Sequence, residues 1–229
     1  MRIVITGTSR GIGKQLAEYY LNGGHLVAGC SRGESTIVNE NYLHFSTEVQ
    51  DDLKVVKMVK EVAKKFNGID VLINNAGIAS MNHLMITPVE TVKKVFDTNF
   101  LGSFIFLREV SKIMKHKNYG RIVNFSTIAK PLNLEGELVY ASSKAAIETM
   151  TKIAARELSK FNITVNALGP TPIPTDLIKN VPKNKMDALL QRQVVNRFCS
   201  IEDILNVVDF FISEKSSFIT SQIVYLGGC

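Results

Sequence analysis

The 229-residue chain has no tryptophan, three cysteines, six prolines and no long apolar run. Cys30, Cys199 and Cys229 stand far apart and in no CxxC or Cys/His pattern, which excludes a disulfide framework and predicts no metal site. No apolar stretch approaches the roughly 18 residues that span a bilayer. The N-terminus enters a strand-like run at Arg2, with no basic segment followed by an apolar one. A cytoplasmic protein with no membrane partner is expected. Aromatic residues are not interleaved with basic ones, so the stacking platform of a nucleic-acid binder is missing as well.

What is abundant is apolar residues, 45% of the chain, enough to fill the core of one domain spanning residues 1–229. The net charge is +6, with a pI near 9.2. That suits an anionic partner such as a phosphorylated cofactor or an acidic carrier, but the sign alone does not choose one. Lys54, Lys57, Lys60, Lys64 and Lys65 recur at helical spacing opposite Val55, Val56, Val59 and Val62, as on the wet face of an amphipathic helix.

Short β-branched runs alternate with helical-period segments throughout. Strands are predicted at 2–6, 25–30, 42–46, 71–74, 121–125, 164–168 and 223–226, and helices at 12–21, 52–66, 88–98, 101–115, 139–161 and 201–213. The fold class implied is α/β: a doubly wound, Rossmann-like, seven-stranded parallel sheet with helices on both faces. Four prolines, Pro170, Pro172, Pro174 and Pro182, open a connection over residues 171–197 that reads as a substrate lid, with a polar helix-like piece at 185–192.

The first strand runs into Thr6-Gly7-Thr8-Ser9-Arg10-Gly11-Ile12-Gly13 and then a helix. Glycines there let backbone approach a pyrophosphate, and the helix N-terminus offers free N–H groups to it. The second strand ends in Gly29-Cys30-Ser31-Arg32, with no carboxylate to hold a ribose 2′-hydroxyl. Arg32, with Arg10 facing it, is better suited to a 2′-phosphate, so NADPH/NADP is preferred to NADH/NAD. Glu34 is near enough to keep the unphosphorylated cofactor open.

Tyr140 and Lys144 are four residues apart and share one face of a predicted helix. A phenol with a pKa of about 10 is a poor acid-base group at neutral pH, but a neighbouring ammonium and a positively charged nicotinamide both favour phenolate and lower that value. The pair can shuttle a proton.

With the TGTSRGIG loop from Thr6, NNAG at Asn74–Gly77, Asn99 in DTNF, YASSK at Tyr140–Lys144 and NALGPTPIPT from Asn166, the whole chain resembles the single-domain branch of the short-chain dehydrogenase/reductase family. Its closest style is that of the bacterial 3-oxoacyl-(acyl-carrier-protein) reductases. The resemblance implies that Tyr140 protonates a carbonyl oxygen as hydride arrives from the nicotinamide. Lys144 would bind the ribose hydroxyls, and Asn99, at a helix kink, would hold a water linking Lys144 to solvent. It further implies cofactor contacts from Gly7, Thr8, Ser9, Arg10, Gly11, Ile12, Gly13, Ser31 and Arg32. Glu48 and Val49 would stand beside the adenine, Asn75 and Gly77 along the cleft, Pro170 at its floor, and Ile173 and Thr175 at the carboxamide.

Two positions depart from the family pattern. Counting back from Tyr140, the family's catalytic serine falls on Thr127, whose hydroxyl has the same donor and acceptor inventory, with Ser126 as the alternative if the loop is shifted by one. Thr171 replaces the usual glycine after Pro170 and would crowd the nicotinamide. The expected function is NADPH-dependent interconversion of a carbonyl and a secondary alcohol on a small-molecule substrate, possibly carrier-linked. Lys115, Lys117, Arg121, Lys130 and Lys160 would flank the site for an acidic carrier. A sugar-related or other small-ketone reductase, or a weakly active nucleotide-binding regulator, are the alternatives. A homodimer or homotetramer is expected through Phe104, Phe106, Leu107, Met150 and Ile153 on the two long central helices.

Overall fold

The computed structural model describes residues 1–174, 181 and 183–228. In chain order the elements are β1 (Arg2–Thr6), α1 (Gly11–Asn22), β2 (Leu26–Ser31), β3 (Tyr42–Ser46), α2 (Asp52–Lys65), β4 (Val71–Asn74) and α3 (Val89–Phe96). Then follow α4 (Gly102–Lys117), β5 (Gly120–Phe125), α5 (Ala129–Leu132), α6 (Leu138–Leu158), β6 (Ile163–Gly169), α7 (Lys183–Gln191), α8 (Ile201–Ile212) and β7 (Ile223–Tyr225). The strands form one parallel sheet in the order β3-β2-β1-β4-β5-β6-β7. The expected doubly wound fold is the one observed.

Alternation along the strands divides the core in two. Val4, Ala28, Leu72, Ile122 and Val165 point to one face, where they meet Val55, Val59 and Val62 of α2, Phe106 and Val110 of α4 and Ala155 of α6. Ile3, Ile5, Val27, Val71, Ile73 and Val123 point to the other, against Leu16 and Tyr20 of α1 and Ile204, Val208 and Phe211 of α8. Each fully buried aliphatic side chain contributes about 1.5–3 kcal/mol relative to exposure. This two-sided burial explains why the strands read as continuous apolar runs. The lysine stripe of α2 faces solvent opposite buried Val55, Met58, Val59 and Val62, as an amphipathic helix requires.

Two expectations change. The helices predicted at 88–98 and 101–115 are one continuous helical path, α3 into α4, joined by a π-helical segment at Asp97–Leu101. Such bulges widen a helix by one residue and are frequent at functional sites. The short α5 was not predicted, and it directly follows the strand end that carries Ser126 and Thr127. Among the described residues no helix is long and apolar enough to cross a membrane.

Candidate active site

β1 and β4 are neighbours in space, while β2 and β3 fill the other side of β1, so the strand order reverses at β1/β4. Doubly wound sheets open a crevice beyond the carboxyl ends of the strands at such a point. Here a cleft of about 770 Å³ opens there. Its walls include Gly7, Ser9, Arg10, Gly11 and Ile12 of the first loop, Ser31 and Arg32 after β2, and Glu48 and Val49 after β3. Asn75, Gly77, Tyr140, Lys144 and Pro170 complete the predicted set that lines it.

The first loop is shaped by its glycines. Gly7 has φ +79°, in the left-handed region that favours glycine. At Gly13 a Cβ would lie 2.2 Å from the Gly7 carbonyl oxygen, so only glycine lets α1 close onto the loop. The role of Gly13 is therefore packing, since it does not line the cleft. Thr8 likewise turns inward, its hydroxyl 2.8 Å from that of Tyr42. Asn75 ties β4 to the loop, its Nδ2 donating to the Thr6 carbonyl at 2.9 Å.

Tyr140 and Lys144 stand on one face of α6, with the Lys144 Nζ 5.9 Å from the Tyr140 ring centroid. Lys144 is buried and donates to the Phe125 carbonyl at 2.7 Å rather than to the phenol. Burial pushes the Tyr140 phenol up to about 12; Thr127 opposes this and the Glu137 carboxylate adds to it. Burial pulls Lys144 down to about 8. The expected depression of the Tyr140 pKa by Lys144 is thus not what the chain by itself produces. Desolvation is the largest cause and the Glu137 charge acts in the same direction, so the phenol keeps its proton at neutral pH.

Thr127 and Ser126 part company at the end of β5. Thr127 stands beside Tyr140, and its Oγ1 accepts the Ala129 backbone N–H at 3.2 Å. Ser126 donates to Glu148 at 2.6 Å. The counted-back position is the one that faces the phenol. Asn99 is fully buried in the π-helical segment. Its Nδ2 donates to the Ile78 carbonyl at 3.0 Å and to Ser143 Oγ at 2.9 Å, and its Oδ1 accepts from Ile78 N–H at 2.8 Å. It fixes the kink to α6.

Other expectations are redirected. Ile173 packs into the apolar core beneath α8 rather than lining the cleft. Thr175 lies outside the described residues. Thr171 does not crowd the cleft: it is buried, and its methyl would be 2.7 Å from a Cβ on Gly227. Of the basic residues expected around the site, only Lys130 is at the carboxyl edge of the sheet. Arg121 is 1% exposed at the start of β5, and Lys115 and Lys160 both lie over the Phe161 ring at the amino edge. Lys117 ends α4 at that same edge. The helices that carry these residues run from the site toward the far end of the sheet, a direction spacing does not reveal. Phe106 and Leu107, expected at a subunit contact, are buried in the chain's own core.

The sequence reading missed Glu90, Lys93 and Lys94, which line the cleft from α3, and Glu137, whose buried carboxyl is pushed up to about 7 by desolvation. It also missed Glu148. That residue could have been found, since it continues the Tyr140–Lys144 spacing by one further helical turn.

A parallel doubly wound sheet with a glycine loop at its switch point and a tyrosine–lysine pair on the opposite wall defines a dinucleotide-dependent oxidoreductase acting on CH–OH or C=O groups. The family profile described as Enoyl-(Acyl carrier protein) reductase matches residues 7–228. The 3-oxoacyl-(acyl-carrier-protein) reductase FabG of Staphylococcus epidermidis is 34% identical over 98% of this chain and 96% of its own length. The enzyme of the same name from Staphylococcus aureus shows the same identity and coverage. The solved structure of ElxO with NADP bound superposes with a TM-score of 0.90 at 29% identity, over 98% of this chain and 96% of that one. Levodione reductase, 24% identical with a TM-score of 0.91 over 99% of this chain and 95% of its own, shares the fold. The chain belongs to the short-chain dehydrogenase/reductase family.

Proposed function

We propose that this protein reduces the keto group of a 3-oxoacyl thioester with NADPH, Tyr140 giving the proton. The observation that carries the reading is the Tyr140–Lys144 pair on the cleft wall, with Thr127 beside the phenol. Relatives named as 3-oxoacyl-(acyl-carrier-protein) reductases support the substrate class.

The residues present fit the cofactor. Gly13 leaves no Cβ between loop and helix, α1 aims its N-terminus at the cleft, and Ser31 and Arg32 stand on the wall where no carboxylate ends β2. Glu34, the one acidic residue that kept the unphosphorylated form open, does not line the cleft. Arg10, Ser31 and Arg32 would hold the 2′-phosphate, and Lys144 the nicotinamide ribose. When bound, NADPH supplies the hydride.

The chain's own groups handle the oxygen. Thr127 accepts the Ala129 N–H, and its own O–H, which stands beside the phenol, would turn to donate to the substrate oxygen. Tyr140 carries its proton at neutral pH and releases it as negative charge grows on that oxygen, acting as general acid. The resulting phenolate lies beside Lys144, whose ammonium becomes its counter-charge. Asn99 holds Ile78 and Ser143 in register, and so fixes the backbone on which Tyr140 and Lys144 ride.

We further infer that the protein is cytoplasmic and forms a dimer or tetramer; the lid expected over residues 171–197 falls in part, at 175–180 and 182, outside the described residues. Exposed Leu101, Phe104 and Ile153 on the helices next to the cleft support self-association. The deciding experiment follows NADPH absorbance against 3-oxoacyl thioesters, small ketones, keto sugars and a trans-2-enoyl thioester. Fastest turnover of the 3-oxoacyl thioester, lost in Tyr140→Phe, is expected. Bound NADPH with no turnover on any of these substrates would leave a nucleotide-binding regulator as the correct reading.

A further inference from the structure

Glu148 is a buried acidic residue that the mechanism does not use. It lies on α6 one turn beyond Lys144 and two beyond Tyr140, on the same face, and is 5% exposed. Its Oε1 accepts from Ser126 Oγ at 2.6 Å and from Tyr225 O–H at 2.5 Å. Its Oε2 pairs with Lys130 Nζ at 3.1 Å. One carboxylate therefore joins α6 to the end of β5, to α5 and to β7.

A buried carboxylate is an expensive way to fill space, and an apolar side chain of similar volume is often as stable or more so. What the carboxylate adds here is directional: three donors converge on it, and one belongs to the residue immediately before Thr127. The backbone on both sides of Thr127 is also tied to β6, Ser126 N–H to the Leu168 carbonyl at 2.7 Å and Ile128 N–H to the Pro170 carbonyl at 3.2 Å. Those bonds set the height of the loop above the sheet. They do not set its distance from α6, where Tyr140 stands. The Ser126–Glu148 bond spans that gap at the residue next to Thr127, as the bond from Lys144 Nζ to the Phe125 carbonyl does one residue earlier. Tyr225 braces the same point from the far side, its ring filling the space above Gly169, where a Cβ would lie 2.4 Å away.

We propose that Glu148 is a positioning residue for carbonyl reduction, holding Thr127 at its working distance from Tyr140 through Ser126, with Tyr225 and Lys130 fixing the carboxylate. The inference rests on the assignment of Thr127 and Tyr140 made above. Glu148 itself lines no part of the cleft, and it reaches the wall through Ser126, which does.

The test uses the full-length protein. Glu148→Gln turns one acceptor into an amide N–H₂ facing the Lys130 ammonium or the two hydroxyls, so the carboxyamide cannot satisfy all three donors. kcat is expected to fall about ten- to hundredfold, in line with what a shift of about 1 Å in a reacting group costs. The NADPH dissociation constant should stay within twofold. The deuterium isotope effect with 4-deuterated NADPH should rise as transfer becomes rate-limiting. A merely structural role would lower the melting temperature without that isotope effect. Ser126→Ala cuts the same link without touching charge; it should lower kcat in the same direction, and the two changes combined should cost less than the product of their separate effects. If Glu148→Gln does not fold, Ser126→Ala and Tyr225→Phe carry the test through kcat and the isotope effect.

Unchanged kcat in these variants, or fully multiplicative losses, overturns the proposal. Thr127→Ala separates it from the reading beneath: if that variant is as active as wild type while Tyr140→Phe is dead, the role of Thr127 fails rather than that of Glu148 alone.

Discussion

The two edges of the sheet bury charge in opposite ways. At the amino edge Arg121 donates to the Gly120 carbonyl at 2.8 Å, lies 4.5 Å from the Tyr119 ring centroid and has almost no exposure, while Arg2 and Asp70 form an ion pair nearby. At the carboxyl edge Tyr140, Lys144 and Glu137 are all shifted against their charged forms, with burial as the leading cause. Glu137 Oε2 has no hydrogen-bond partner there. Charge that is satisfied by carbonyls and a counter-ion supports the fold. Charge or latent charge that burial shifts toward its neutral form is what a reacting substrate can use, whereas Glu148 at the same edge is paired and satisfied as Arg2 and Asp70 are. The carboxyl ends of the same strands open at the switch point, where the cleft lies.

The sharpest way to break this contrast is to substitute at each edge in turn. Tyr140→Phe should lower kcat for carbonyl reduction by about 10²–10⁴-fold, with NADPH binding retained, as steady-state kinetics and fluorescence titration would reveal. Arg121→Ala should do the reverse. It should cost about 2–4 kcal/mol of stability in urea unfolding through the cavity and the lost hydrogen bonds, while kcat per folded molecule stays the same. A raised KM for a carrier-linked substrate in that variant would restore Arg121 to the docking role that its position argues against.

Within the carboxyl edge, Arg32→Ala should weaken NADPH about tenfold, the scale of one lost charge-assisted bond, and leave NADH unchanged. Equal losses for both would remove the 2′-phosphate from the account.

The smallest effect belongs to Glu137. Its carboxyl is raised in the folded state from 4.5 to about 7. Between those values the native protein holds a proton that the unfolded chain has released, so stability falls as pH rises from 4.5 to 7, and the deficit persists above that range. Glu137→Gln should therefore gain about 1–2 kcal/mol at pH 8 and nothing at pH 4. Thermal unfolding at the two pH values checks it, and an equal gain at both would mean that charge is not the cause.

The strands were legible because parallel strands packed on both faces by helices must be apolar along their length, and each end falls within one residue of its expected place. The glycine loop was legible because only glycine can stand at Gly7 and Gly13. Tyr140 and Lys144 were legible because helical spacing alone puts them on one face. The same spacing extends to Glu148, but its meaning did not, since Ser126, Lys130 and Tyr225 reach it from three other elements. The π-helical segment escaped because a one-residue widening leaves the apolar period almost unchanged.

By itself, then, the sequence determined the order and type of elements, the cofactor loop and the tyrosine–lysine pair, all of which depend on residues close together in the chain. The tertiary structure alone decided which edge each lysine and arginine occupies, that Thr127 rather than Ser126 faces Tyr140, and that burial raises the phenol despite its ammonium neighbour. The physical reason is common to these: direction along a buried helix and loss of water are set by what packs from elsewhere, and no local pattern records it.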